Sequence, residues 1–270
     1  MICGVDEAGK GPVIGPMVVA AVLIDNAKQI EGAGFKDSKL LTTQKRRELF
    51  DLINQNYRYA VEIIKPEEID KYRRKNQLNL LNRKAFEKVI IELNPNVAYV
   101  DAADVNEDRF GKEIKANLTN ENDTDVISMH KADSKIPVVA AASIIAKQTR
   151  ELEIERLKMQ IGDFGSGYPS DERTIKFLKS YFDDNSGWPS GTRKSWKTIE
   201  RIRPVKKLSD FGDKMSNIKQ ILEEKVAEFN SRIKDEPKFS SVIEGKERSI
   251  CISVSDGKNY ISNLKDMQLE

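Results

Sequence analysis

Ile2-Cys3-Gly4-Val5-Asp6-Glu7-Ala8-Gly9-Lys10-Gly11-Pro12 opens the chain, and Met17-Val18-Val19-Ala20-Ala21-Val22-Leu23-Ile24 follows it. The first run is apolar through Val5 and then turns acidic; the second is uncharged throughout. Both read as buried strands, Ile2 to Asp6 and Met17 to Ile24, with Pro12, Gly15 and Pro16 punctuating the link. Two adjacent carboxylates thus stand at a strand end, beside a Gly-Lys-Gly that can bring bare backbone close to a ligand. Carboxylates so placed suit hard divalent cations. A glycine-flanked cation suits a phosphodiester or a ribose hydroxyl. Metal-assisted chemistry on a nucleic acid is the reading to test against the rest of the chain.

Working outward, Thr42 or Thr43 caps an expected helix from Gln44 to about Asn54, with Leu49, Leu52 and Ile53 on its apolar face. Tyr57 to Ile64 alternates as a strand does, and Asn79 to Leu93 carries helical periodicity that Asn94-Pro95-Asn96 stops. Val97 to Val100 is a short β-type run ending at Asp101, and Val126 to Met129 is another, followed by Asp133. A long helix is expected from Val138 to about Ile161. Strands first, then strands alternating with helices, describe a mixed α/β sheet. Past Pro204 the character changes: 206–213 is polar, 215–234 reads as an amphipathic helix, and Arg248 to Val254 is strand-like before an Asp256-Gly257 turn and Tyr260-Ile261. The expected division is a main domain over 1–205 and a helical and β appendage over 206–270.

Bulk properties narrow the function. Among 270 residues, 45 basic and 43 acidic side chains leave a net charge of +2, too little for a general polyanion binder, so nucleic-acid contact is expected in a local groove. Cys3 and Cys251 are the only cysteines, which excludes a disulfide framework and a cysteine metal site. The apolar run Ile136 to Ala146 is too short for a bilayer, and no basic-then-apolar leader precedes the first strand. A cytoplasmic protein without a membrane contact is expected.

Four acids stand out by position: Asp6 and Glu7 at the first strand's end, Asp101 at a later one, and Asp133 before the long helix. Neighbouring strand residues face opposite ways, so Asp6 and Glu7 share a site only if the backbone bends at Glu7. Ligands of open α/β sheets sit beyond strand ends, where Asp6 and Asp101 could meet. Each acid also has a plainer reading as a strand-end or capping residue, and for Asp133 alone capping is the better one. His130, the only histidine, stands beside Lys131 and reads as structural. Asn79, Asn82 and Arg83 open the second helix, where they could touch a backbone phosphate.

The chain resembles ribonuclease HII, particularly its archaeal form. The resemblance is carried by residues 4–18 (GVDEAGKGPVIGPMV), 37–41 (DSKLL), 100–102 (VDA), 130–133 (HKAD), 141–147 (AASIIAK), 165–171 (GSGYPSD) and the run Arg193 to Thr198, in family order from residue 1 to about 204. It implies an RNase H-like mixed five-stranded sheet flanked by helices. It implies cleavage of the RNA strand of RNA–DNA hybrids and of duplex DNA on the 5′ side of an embedded ribonucleotide, leaving 3′-hydroxyl and 5′-phosphate. The family's four metal-binding carboxylates fall on Asp6, Glu7, Asp101 and Asp133, holding two Mg²⁺ or Mn²⁺ ions. The backbone of Gly9-Lys10-Gly11 and the side chain of Tyr168 would read the ribose, and Lys39, Lys147 and Lys197 would hold flanking phosphates. Taken alone, Tyr168-Pro169 reads as a loop aromatic on the core, and Lys147 as part of a solvated helix face. Two features depart from the family: Met129 stands where an acid is expected, and the chain beyond 206 is longer. Leu208-Ser209-Asp210-Phe211-Gly212 faintly resembles the sliding-clamp-binding tail of some archaeal members, implying a weak clamp contact, although it lacks the glutamine and second aromatic and reads better as a linker. A monomer is expected.

Overall fold

A computed structural model describes residues 1–30, 32, 34–35, 42–118, 123–203, 220, 224, 227, 240–246, 249–255 and 260–264, the last three stretches by backbone alone. Five strands form the main sheet: β1 (Ile2–Ala8), β2 (Met17–Ile24), β3 (Arg58–Ile64), β4 (Val97–Asp101) and β5 (Asp125–Met129), in the order β3-β2-β1-β4-β5. The β1-β2-β3 meander is antiparallel, whereas β4 runs parallel to β1 and to β5. Every residue of β2 is buried, as its uninterrupted apolar sequence requires of a strand covered on both faces.

Alternation along the strands divides the core. Cys3 and Val5 of β1 and Ala98 and Val100 of β4 face one apolar layer, with α3 (Leu78–Leu93), α4 (Glu107–Asn117) and α7 (Glu172–Asn185). Burial pushes the Cys3 thiol upward, so it is an inert core group. Val18, Ala20, Val22 and Tyr99 face the opposite layer, with α1 (Thr43–Asn56) and α6 (Pro137–Ile161). The start of α6 crosses β1 so closely that a Cβ on Gly4 would lie 2.3 Å from the Val138 carbonyl carbon. Val138 through Ala146 of α6 are all buried, which is why this half shows no amphipathic period.

Several boundaries differ from those the sequence suggests. β1 continues through Glu7 to Ala8, in unbroken register with Val19 and Val18, and the chain turns only at Gly9, whose φ is +87°. Leu52, placed on the apolar face of α1, is 40% exposed, while Leu49 and Ile53 are buried. Thr42 is the cap of α1, accepting a bond from the Lys45 amide. Asp133 does not cap the long helix; it lies in a separate turn, α5 (Ala132–Lys135), and Ile136 holds the cap position of α6. Helices α2 (Pro66–Arg74), α4, α7 and α8 (Lys197–Ile202) carry no expectation from the sequence.

The chain parts into two compact units, Met1–Ile202 and Arg203–Glu270. In the second, β6 (Ser240–Lys246), β7 (Ser249–Ser255) and β8 (Tyr260–Leu264) form an antiparallel sheet in that order. β7 answers the strand-like run from Arg248, and Cys251 lies within it. Of the expected 215–234 helix only Gln220, Glu224 and Ala227 are described, all helical; the clamp-like 208–212 segment lies outside the described residues. No helix among the described residues is long and apolar enough to cross a membrane.

Candidate metal centre and the adjoining glycine loop

Asp101 ends β4 and Asp6 lies near the same end of its parallel neighbour β1, and both fall on the sheet face that packs against α6. The α5 turn brings Asp133 to the same point. One carboxylate oxygen from each of Asp6, Asp101 and Asp133 lies within 4.8 Å of the others. Asp6 and Asp133 are each 4% exposed and Asp101 is half-buried. The Asp6 carboxylate accepts bonds from the Glu7 amide at 2.7 Å and from the Ser143 side chain of α6; Asp101 accepts the Ala132 amide at 3.1 Å. Asp101 is thereby tied to the α5 turn that carries Asp133.

Glu7 is not one of the converging three. Its strand stays in register through Glu7↔Val19, without the bend expected there. Its carboxyl nevertheless responds to the cluster: its pKa is pushed up to about 7, chiefly by burial and also by the charges of Asp101 and Asp133, against the pull of Lys10. Asp6 is driven well above the usual carboxylate range by burial first and then by Glu7, with Asp101 adding to it. Several carboxyls forced together away from water resist ionising unless a cation joins them. Hard oxygen donors at this separation fit Mg²⁺ or Mn²⁺; Asp6, Asp101 and Asp133 would hold the ion, with Glu7 beside them.

The Gly9-Lys10-Gly11 loop leaves β1 directly behind this cluster. A Cβ at Gly9 would lie 2.5 Å from the Arg150 side chain and 2.8 Å from the Pro16 carbonyl, so only glycine fits the turn. The Lys10 ammonium bonds the Ala103 carbonyl. Arg193, completely buried, holds the loop from behind: its guanidinium donates to the carbonyls of Gly9 (2.6 Å), Gly15 (2.9 Å) and Lys10 (3.0 Å). Burial brings the Arg193 pKa down to about 9. Trp196 completes the support, donating from Nε1 to the Gly11 carbonyl at 3.3 Å.

Tyr168 stands over the same loop. Its ring carbon Cε1 is 3.8 Å from the position of a Cβ on Gly11, and the ring lies 5.4 Å from the Arg150 guanidinium carbon. At 39% exposed it is not packed into the core, contrary to the plainer reading of Tyr168-Pro169. The Tyr168 loop is fixed to the loop after β1, since the Val13 amide donates to the Gly167 carbonyl at 2.8 Å. Asp171 closes it further, accepting the Ser166 amide at 2.7 Å while capping α7, and these bonds bring its pKa down to about 2.

The other expected contacts are dispersed. Lys147 is half-buried on α6, Lys197 is exposed at the start of α8, and Lys39 lies outside the described residues. Asn79 bonds Asp104 at 3.0 Å, Asn82 is fully buried and Arg83 pairs with Glu113 and Glu87, so Asn82 and Arg83 are not presented to a phosphate at the start of α3. His130 bonds the Val105 carbonyl at 3.2 Å from Nε2 and takes no part in the acidic cluster. Ser143, Arg150 and Arg193 carry no role legible in the sequence, although Ser143 and Arg193 lie in family-like segments. Nothing in an isolated Thr-Arg-Lys distinguishes a buried arginine from a surface one.

Residues 3–199 match the family model described as ribonuclease HII. Ribonuclease HII of Methanoregula boonei is 46% identical over 211 residues, covering 78% of this chain and 98% of that protein. Among solved structures, one of the PCNA:RNase HII complex from Archaeoglobus fulgidus aligns with a TM-score of 0.69 at 43% identity, over 78% of this chain and 100% of that one. The ribonuclease H2 of Pyrococcus horikoshii OT3 aligns with a TM-score of 0.69 at 44% identity, over 74% and 96%.

Proposed function

This chain belongs to the ribonuclease HII family and is a metal-dependent ribonuclease H that acts on RNA–DNA hybrids; we propose that it also cuts duplex DNA on the 5′ side of an embedded ribonucleotide, with two divalent ions at one acidic centre. Asp6, Glu7, Asp101 and Asp133 hold Mg²⁺ or Mn²⁺ in this reading. When bound, such ions supply an activated water and charge stabilisation at the leaving 3′ oxygen, so the products carry 3′-hydroxyl and 5′-phosphate.

The protein's own groups set where that chemistry is applied. Arg193 and Trp196 engage the carbonyls of Gly9, Lys10 and Gly11, so reading a ribose falls to the amide side of the loop. A 2′-hydroxyl accepts from such an amide, and a deoxyribose offers nothing in its place. Tyr168 gives the sugar a ring face and a hydroxyl. Lys39, Lys147 and Lys197 are the proposed contacts to flanking phosphates. The catalytic unit corresponds to residues 1–205, with 206–270 an extension whose 208–212 segment is a candidate for a weak clamp contact. A related archaeal protein was solved with PCNA.

One observation carries the proposal: the loop next to Tyr168 begins at Gly9, directly after β1, and Asp6 of that strand lies within 4.8 Å of the other two acids. Asp101→Asn tests the metal half. It should abolish cleavage of an RNA–DNA hybrid while hybrid binding, followed by fluorescence anisotropy, stays within about threefold; cleavage at the wild-type rate would remove Asp101 from the centre.

A further inference from the structure

Outside the acidic centre the described residues enclose a cleft of about 570 Å³ lined by Arg73, Arg74, Lys194, Lys197, Asn79 and Glu200, among others. Four cations meet one acid there. No ion pair joins any of the four to an acid among the described residues, whereas Arg46, Arg47, Arg83, Lys115 and Lys158 are each paired with an acid. For a chain whose net charge is only +2, this is a marked local concentration. An excess of like charges over counter-charge raises the potential of a concave surface and draws anions into it.

The cleft is built rather than incidental. Asp70, 5% exposed, accepts the Lys194 amide at 2.8 Å, the Ser195 amide at 3.0 Å and the Ser195 hydroxyl at 2.6 Å, pinning the segment that carries Lys194 and Lys197 against α2. Arg73 donates to the Ser195 carbonyl at 3.1 Å and lies 4.4 Å over the Trp196 ring. The first residues of α3, Leu78 and Asn79, complete the wall, and Gln77 at the cap position makes no side-chain bond to the first turn. The positive end of a sixteen-residue helix therefore adds to the four cations.

Trp196 joins this cleft to the ribose-reading loop. One face of its ring environment holds Arg73, and its Nε1 holds the Gly11 carbonyl. We propose that the cleft of Arg73, Arg74, Lys194 and Lys197 is a second phosphate-binding subsite, which takes a backbone phosphodiester of the bound duplex away from the scissile one. It rests on the chain's action on hybrid duplexes and extends the role suggested for Lys197 to a built site. Its cations fix register and orientation without reading bases.

Arg74 and Lys194 are exposed and outside the catalytic centre, so their replacement tests the subsite without threatening the fold. With the full chain in EDTA, R74Q/K194Q should weaken binding of a 20-base-pair hybrid by roughly tenfold and flatten the salt dependence of log K by about 1–2. R74K/K194R should retain both. A single neutral methylphosphonate, moved along the hybrid, should cost the wild type affinity at one flanking position and cost R74Q/K194Q nothing there. An unchanged salt slope, or equal sensitivity of both proteins at every flanking position, overturns the subsite. Failure of the wild type to cut the hybrid with Mg²⁺ would instead overturn the enzymatic reading itself, whatever the cleft binds.

Discussion

Replacing Arg193 by methionine removes the support behind the Gly9-Lys10-Gly11 loop, proposed to read the ribose, while nearly keeping side-chain volume. Three carbonyls lose their donor: Gly9 at 2.6 Å, Gly15 at 2.9 Å and Lys10 at 3.0 Å. A buried acceptor left unsatisfied costs about 1–3 kcal/mol. Lys10 is exposed and its carbonyl regains water, so two acceptors remain, about 2–6 kcal/mol in all. Against this, methionine escapes the desolvation that brings the Arg193 pKa down to about 9, and the net cost falls near the lower end, about 2–3 kcal/mol. Domains of this class hold about 5–15 kcal/mol, so R193M folds, with a Tm lower by about 5–10 °C. The functional loss should exceed what stability explains. At 25 °C, where the variant is folded, kcat/KM on a duplex with one ribonucleotide should fall at least about a hundredfold, because the loop no longer presents its amides in one geometry. R193K, with a single ammonium for three carbonyls, should lie between. Unfolding by circular dichroism and single-turnover cleavage on the same preparations decide it. A variant that melts lower yet cuts at the wild-type rate would refute the positioning role.

Tyr168→Phe should reduce cleavage at a DNA–RNA junction modestly, by about threefold to tenfold for one lost hydrogen bond, and Tyr168→Ala further through lost packing on the sugar; equal rates in all three proteins would remove Tyr168 from recognition. The acidic centre should also make the metal-free protein less stable as pH rises. Burial holds the Asp6 and Glu7 pKa values above those of an unfolded chain, so the stability they contribute is full below the ordinary carboxylate range and is lost as pH climbs through about 7. In EDTA the Tm should therefore be higher at pH 5.5 than at pH 8, and Mg²⁺ should raise it more at pH 8; a metal-free Tm that climbs over that interval would contradict the clustering of the acids.

The central strands are legible because their physics is local. β2 is an unbroken apolar run and β1 an apolar run that turns acidic at its end, so both declare themselves within ten residues. Three of the four acids singled out by position do converge, since the parallel β1–β4 pairing brings Asp6 and Asp101 to the same end of the sheet and the α5 turn carries Asp133 there. Less legible was everything set by packing between distant segments. α7 is capped by Asp171, but among its many charged residues only Thr174 and Leu178 are buried, too few to show as an apolar stripe. α4 contains Gly111, which reads as a helix breaker but lets the helix approach Ser128, 2.9 Å from a Cβ placed there. Arg193 reads as one more surface cation in a chain with 45 of them, and only the folded chain shows it buried under the loop it supports. Glu7 shows the limit of arguing from alternation: the strand runs straight through it, and its link to the centre is electrostatic rather than by the expected bend.

Cleavage-site mapping on a duplex that is all DNA except for one ribonucleotide tests the coupling of cutting to sugar reading most directly. With Mg²⁺, and again with Mn²⁺, a single cut is expected on the 5′ side of the ribonucleotide, yielding 3′-hydroxyl and 5′-phosphate ends, with the all-DNA control untouched. Equal cutting of that control would show that the acids work without the Gly9-Lys10-Gly11 loop consulting the 2′-hydroxyl.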